Sequence, residues 1–327
     1  MPTVGIVANP ASGKDIRRLV THASVFDNHE KAHILQRALQ ALDALGVDHV
    51  LYMPDYYGLV ERSLEHLHLS LTATELQMDM WADDRDSTEA ARRFCEARAS
   101  CIITLGGDGT NRAVAKECGD VPIIPISTGT NNVFPSMIES TVAGLAAGLI
   151  ATGRVDVDEV TYTAKRLEVF VDGQLAEIAL IDVVASTELF IGSRALWDPK
   201  RIREIVLARA EPDTIGMSSI GGCLHVIGPL DPIGMYVRLG SDTTHVLAPV
   251  GPGLIIPVPI QEHRLLALGE EIDLERAGCT IAVDGERQIE VYPEQQVRVR
   301  LTKNGPRVVD VPKCIRLASE RGVLRLP

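Results

Sequence analysis

At residues 101–115 an apolar run, CIITL, stops at Gly106-Gly107-Asp108-Gly109-Thr110 and resumes as TNRAVA. Three glycines around one acid make a poor core but let backbone amides and a carboxylate approach something small and charged. Two other stretches share this character. The apolar run at 4–8 ends in NPASGKD (9–15), which supplies Asn9, Ser12, Gly13 and Lys14. The run VPIIPI (121–126) ends in STGTNN (127–132), which supplies Thr128, Gly129, Thr130, Asn131 and Asn132. Together with Gly106, Gly107, Gly109, Thr110 and Asn111 these are the candidate ligand-binding residues. Each loop precedes an expected helix N-terminus, where unpaired amides and the helix dipole favour phosphate. A carboxylate beside phosphates is repulsive unless it binds Mg²⁺ or accepts a proton from an attacking hydroxyl. Both roles belong to phosphoryl transfer, and Asp108 is the candidate for them. The loops are not the commoner phosphate motifs: position 8 is Ala and Asp15 follows Lys14, which breaks G-x-x-x-x-G-K-[ST], and no G-x-G-x-x-G follows the first strand.

The elements that must position these loops alternate in period. Short apolar runs at 4–8, 48–54, 75–81, 101–105 and 121–126 read as strands; 29–45, 57–69, 87–99, 110–118 and 136–151 read as helices. Such alternation predicts a right-handed, Rossmann-like parallel α/β domain over 1–154 whose loops at the strand ends form the ligand crevice. From about residue 155 the sequence is rich in β-branched residues, Gly and Pro, with hairpin signals at Asp172-Gly173 and Asp284-Gly285. A mostly β domain over 155–327 is expected, interrupted by one helix at 198–210, with strand-like runs at 215–227, 233–239, 244–249, 254–260 and beyond. The extreme C-terminus is allowed to return to the first domain.

Composition narrows the partners. The 327 residues carry a net charge of −12 and only 4% aromatics, which argues against nucleic acid and against an anionic membrane surface. No signal peptide or membrane-spanning run is visible, and the six scattered cysteines read as reduced thiols of a soluble cytoplasmic protein. His29/His33 and His66/His68 lack acidic or cysteine partners at ligand spacing, and Asp83-Asp84-Arg85-Asp86 reads as a solvated turn, so no protein metal-ligand set is expected.

The motifs GGDGT, NPASGK and STGTNN, in this order, resemble the superfamily that joins NAD kinases with diacylglycerol and sphingosine kinases. The resemblance implies an α/β domain followed by a β-rich domain with the site in the cleft between them. It also implies that Asp108 assists catalysis, that its neighbours bind nucleotide phosphates, and that ATP (or polyphosphate) with Mg²⁺ is the donor. EIALIDVVAS (177–186) resembles the NAD kinases, which usually carry an Asn followed by an acid; here the pair is Ile181 and Asp182. IGMSSIGGCLHVIGP (215–229) resembles a degenerate form of their Gly/Ser-rich stretch, whereas VDGERQIEV (283–291) is closer to the lipid kinases, where the acid after Asp-Gly lies near the site. Asp182 and Glu286 are therefore candidates to act with Asp108, with Glu286 alternatively a plain hairpin-turn glutamate. The expected activity is phosphorylation of the 2′-hydroxyl of NAD by a homodimer or homotetramer. Phosphorylation of a lipid or other small alcohol, and a non-catalytic nucleotide-binding regulator, remain alternatives.

Overall fold

The computed structural model describes residues 1–13, 26–129, 131–191, 199–275 and 277–325. Its first half is built on β1 (Thr3–Ala8), α1 (Asn28–Ala44), β2 (His49–Tyr52), α2 (Leu59–Leu64), β3 (Thr72–Glu75), α3 (Asp84–Glu96), β4 (Cys101–Gly106), α4 (Asp108–Ala115), β5 (Ile123–Ser127) and α5 (Ser140–Ala151). β1 and β4 are buried along their whole length, as uninterrupted apolar runs require when helices cover both faces of a parallel sheet. One face packs on α1 and α5 through Leu35, Leu39, Leu42, Ala143 and Ala147; the other packs on α3 and α4 through Ala90, Phe94 and Val114.

The second half continues with β6 (Thr161–Thr163), β7 (Arg166–Val171), β8 (Gln174–Ala179), β9 (Asp182–Ser186), β10 (Ile202–Leu207), α6 (Met217–Gly222), β11 (Ile233–Gly251), β12 (Leu254–Ala267), β13 (Glu271–Asp273), β14 (Cys279–Val283), β15 (Glu286–Val291), β16 (Val297–Thr302), β17 (Arg307–Val309) and α7 (Val311–Glu320). The first sheet runs β3-β2-β1-β4-β5-β17-β6, with β1 to β5 mutually parallel. β17 joins it parallel to β5 and antiparallel to β6. A six-stranded sheet, β12-β11-β10-β9-β14-β15, and a four-stranded sheet, β13-β16-β7-β8, are antiparallel throughout and face each other across a core that includes Val169, Val183, Val206, Ile281 and Val299. The chain is thus an α/β protein with a parallel N-terminal sheet and a mostly antiparallel β second half, as expected. Both Asp-Gly hairpins form, and all four turn residues have positive φ (50° and 80° at Asp172-Gly173, 50° and 78° at Asp284-Gly285), the twist that two-residue turns demand. Among the described residues no helix is long and apolar enough to cross a membrane.

Several expectations fail for identifiable reasons. The segment expected as a helix at 198–210 holds β10, a central strand between β9 and β11. Glu204 is buried there, accepting from the Tyr236 hydroxyl at 2.6 Å and the Glu275 amide at 2.9 Å. Val206 and Ile205 serve opposite cores, so tertiary pairing decides the period. The strand expected within 215–227 is instead the short α6, where a Cβ on Gly221 would lie 2.2 Å from Leu207 Cδ1 and one on Gly222 2.3 Å from Pro212 N. β3 stops at Glu75 because β2 offers no partner beyond Tyr52, which leaves Met80 and Trp81 exposed. The runs expected separately at 233–239 and 244–249 are one strand, β11, which pairs with β12 as one long hairpin with register shifts near Leu239.

α1 and α5 touch closely. A Cβ on Gly144 would lie 2.6 Å from the Ala38 carbonyl oxygen, and one on Gly148 2.8 Å from Leu45 Cδ1. Gly144→Val should therefore lower the unfolding free energy by about 1–3 kcal/mol, measured by urea denaturation. An unchanged midpoint would contradict this close approach.

Candidate active site

Strand order reverses between β1 and β4, and the crevice of an open parallel sheet lies at the carboxyl ends of the strands flanking such a reversal. There β1, β4 and β5 deliver the three loops, and their side chains bond to one another rather than standing apart. Asn9 Oδ1 accepts from the Ala11 amide at 2.8 Å, an Asx turn, while Asn9 Nδ2 donates to Thr110 Oγ1 at 2.9 Å. Ser12 Oγ lies 2.8 Å from Thr128 Oγ1, and a Cβ on Gly13 (φ 72°) would lie 2.6 Å from the Thr128 carbonyl oxygen. The Thr128 amide donates to the Gly106 carbonyl at 3.2 Å. Gly106 has no room for a side chain against Thr110, 2.5 Å from where a Cβ would stand, and Gly107 has none against Asn132 Oδ1 at 2.7 Å. Asn132 Nδ2 donates to Ser127 Oγ at 2.9 Å and to the Gly129 carbonyl at 3.4 Å, which closes the third loop.

Asn111 is fully buried, accepting from Thr104 Oγ1 at 2.7 Å and donating to the Gly107 carbonyl at 2.9 Å, so its amide braces the second loop from behind. Asn131 lies in the turn of the third loop, whereas Lys14 and Thr130 fall outside the described residues.

Asp108 opens α4, and its half-buried carboxylate accepts from the Val133 amide at 3.1 Å and the Phe134 amide at 2.8 Å. Burial pushes its pKa up to about 7, and the nearby Asp284 carboxylate adds to the shift; the two amide bonds and Arg209 act the other way. A carboxyl that titrates near neutrality can take a proton from a hydroxyl and release it again.

The β14–β15 turn supplies the opposite wall. Glu286 is part-exposed beside α4, its Oε2 3.5 Å from where a Cβ on Gly109 would stand. Asp182 is turned to the hairpin: its carbonyl accepts from the Asp284 amide at 2.9 Å and its Oδ1 from the Gly285 amide at 3.3 Å. Its buried carboxylate thus fixes the turn that carries Glu286. Ile181, where the NAD kinases usually carry Asn, is fully buried in an apolar cluster with Val133, Phe134 and Leu180.

Three residues that sequence reasoning passed over organise the site. Asp284 is buried, accepts from the Leu180 and Ile181 amides at 3.0 and 2.8 Å, and has its pKa raised by burial. Arg112, 1% exposed, donates to the Val283 carbonyl at 2.9 Å and lies 3.6 Å from Asp284 and 3.8 Å from Glu286. It stands one helical turn after Asp108, a spacing that could have flagged it. Lys31 is buried beneath the first loop, and no local pattern marks it.

Comparison with known proteins agrees with the fold. Residues 4–155 match the ATP-NAD kinase N-terminal domain, and residues 165–304 match the acetoin catabolism protein X C-terminal domain. Over 338 aligned residues the chain is 39% identical to acetoin catabolism protein X of Cupriavidus necator, covering 99% of this chain and 94% of that protein. A candidate diacylglycerol kinase from Bacillus anthracis shares the fold, with a TM-score of 0.50 at 14% identity over 94% of this chain and 97% of its own.

Proposed function

The chain belongs to the acetoin catabolism protein X family and has a kinase-like fold, and from that premise we propose that it transfers the γ-phosphoryl group of ATP to the 2′-hydroxyl of NAD, giving NADP. The observation that carries this reading is Asp108: a carboxyl poised near pH 7 beside three interlocked loops, with Asp284 acting on it and Glu286 close to the neighbouring Gly109. The proposed cofactor and site assignments follow the loops. Amides of the glycine turns hold the phosphates of ATP or polyphosphate, while Ser12 and the buried Thr110 and Thr128 brace the loops against one another. Asp108 takes the proton of the acceptor hydroxyl as its oxygen bonds to the γ-phosphorus, and the bond to the β–γ bridging oxygen breaks to release ADP. Among the described residues no three His, Cys, Asp or Glu side chains converge as a metal cage. Two carboxylates beside a phosphate cradle suit instead a Mg²⁺ held mainly by phosphate oxygens and water, with Asp108 and Glu286 nearest. When bound, that ion neutralises charge on the transferring phosphoryl group. The buried Ile181 gives the substrate no amide, so contacts to the nicotinamide ribose must come from other residues. The substrate is a small molecule handled by a protein without a membrane-spanning helix among its described residues. The name of the relative supports placing the proposed activity alongside acetoin catabolism.

The test is kcat/KM for ADP release with Mg²⁺-ATP and each of NAD, NADH and vesicle-borne diacylglycerol, followed with pH. With NAD, kcat/KM should be highest of the three. It should rise about tenfold per pH unit below the Asp108 pKa and level off above about pH 7, because only the deprotonated carboxylate accepts a proton. Faster turnover of diacylglycerol would replace this acceptor with a lipid. ATP binding without turnover of any acceptor would favour a nucleotide-binding regulator.

A further inference from the structure

Lys31, in the first turn of α1, is 0% exposed. Its ammonium gathers at least four oxygens: the carbonyls of Asn9 (3.0 Å), Pro10 (3.1 Å) and Ser12 (2.7 Å), and Asn28 Oδ1 (3.2 Å). Three of these belong to consecutive turns of the NPASG loop. A buried ammonium is stable only when its donors are met, so the loop must keep its carbonyls turned inward. In a planar trans peptide the N–H points opposite to the C=O. The inward Ser12 carbonyl therefore aims the Gly13 amide away from Lys31.

We propose that Lys31 is a positioning residue that sets the first phosphate loop, fixing from beneath the loop's backbone path and with it the Gly13 amide that meets the ligand's phosphates; the amides of Asn9, Ala11 and Ser12 are already bonded within the protein. The inference rests on the phosphate-binding reading of the loops and goes beyond it, because Lys31 lies outside every recognised motif of the chain. It acts on the polyphosphate moiety of the ligand, whichever acceptor is used. The clamp also ties α1 to the loop that follows β1.

The test is calorimetric titration of the full chain with inorganic tripolyphosphate, using wild type, Lys31→Met, Lys31→Gln and Lys31→Arg, with melting temperature followed by circular dichroism. Lys31→Met should weaken tripolyphosphate binding about tenfold or more, and Lys31→Gln, which keeps two donors but no charge, about fivefold. Lys31→Arg, which keeps a cation but in a bulkier head, should bind more tightly than Lys31→Gln while falling short of wild type. In turnover, the KM for ATP should rise in Lys31→Gln while kcat with NAD stays within about threefold. If Lys31→Met does not fold, the Gln and Arg pair decides. Equal affinity of wild type and Lys31→Gln, or an Arg variant as weak as the Gln variant, would overturn the proposal. A wild type that binds no tripolyphosphate would overturn it together with the phosphate-loop reading. Binding that depends on Lys31 without phosphorylation of any acceptor would leave this inference standing and remove only the kinase activity.

Discussion

Asp108→Asn should lower kcat by about a hundredfold to ten-thousandfold, the usual contribution of a positioned general base, while ATP affinity changes little. The variant should at the same time be more stable than wild type at pH 8. The carboxyl, with an ordinary pKa of 3.8, is held at about 7 in the fold, so the folded state binds its proton more tightly than the unfolded chain. That stabilisation is complete below about pH 4 and is lost as pH climbs toward 7; above 7 the fold carries a poorly solvated charge. A displacement of three pH units corresponds to about 4 kcal/mol, and the remaining solvent contact of Asp108 reduces this to about 1–3 kcal/mol. An asparagine keeps an oxygen for the Val133 and Phe134 amides and removes the charge. Urea denaturation at pH 4 and pH 8 checks the sign: the two proteins should converge at the lower pH, and Asp108→Asn should exceed wild type at the higher. A variant that is inactive but also less stable at pH 8 would assign Asp108 a supporting role in the fold.

Arg112→Met should lower the unfolding free energy by about 3–5 kcal/mol, because it strips the cation from a buried carboxylate. Asp284 would be left with only its amide donors from Leu180, Ile181 and Asp182. The double variant Arg112→Met/Asp284→Asn should recover more than half of that loss, since neither charge then stays buried alone. Arg112 ties α4, which begins with Asp108, to the β14–β15 turn, which carries Glu286. The single variant should accordingly lose turnover even where it remains folded. Additive losses in the double variant would mean that Arg112 and Asp284 act independently.

The three loops were legible in the sequence because each holds its own requirements locally: glycines where Thr110, Asn132 and Thr128 crowd the backbone, and short polar side chains that bond across to the next loop. The centre of the parallel sheet was legible for a similar reason, β1, β4 and β5 being apolar runs buried on both faces, whereas the largely exposed edge strand β3 was not. Arg112 and Asp284 were not, because their partners lie across the chain; the Arg112 bond to Val283 spans 171 positions. Lys31 looked like one more charge on an amphipathic helix, and only the path of the first loop turns it into a clamp. Asn111 and Asp182 carried plausible side chains for ligand contact, yet both are engaged in holding backbone, Asn111 behind Gly107 and Asp182 behind Gly285. β10 misled for the opposite reason: its adjacent Arg203 and Glu204 look like a solvated pair, yet they belong to a strand whose neighbours satisfy Glu204.

The most direct measurement is ³¹P NMR of NAD incubated with Mg²⁺-ATP and the purified chain, with Asp108→Asn in parallel. The account predicts a new 2′-phosphomonoester resonance of NADP that grows as ADP appears with wild type and is absent with the variant. ADP formed without that resonance, or the resonance formed equally by Asp108→Asn, would contradict it.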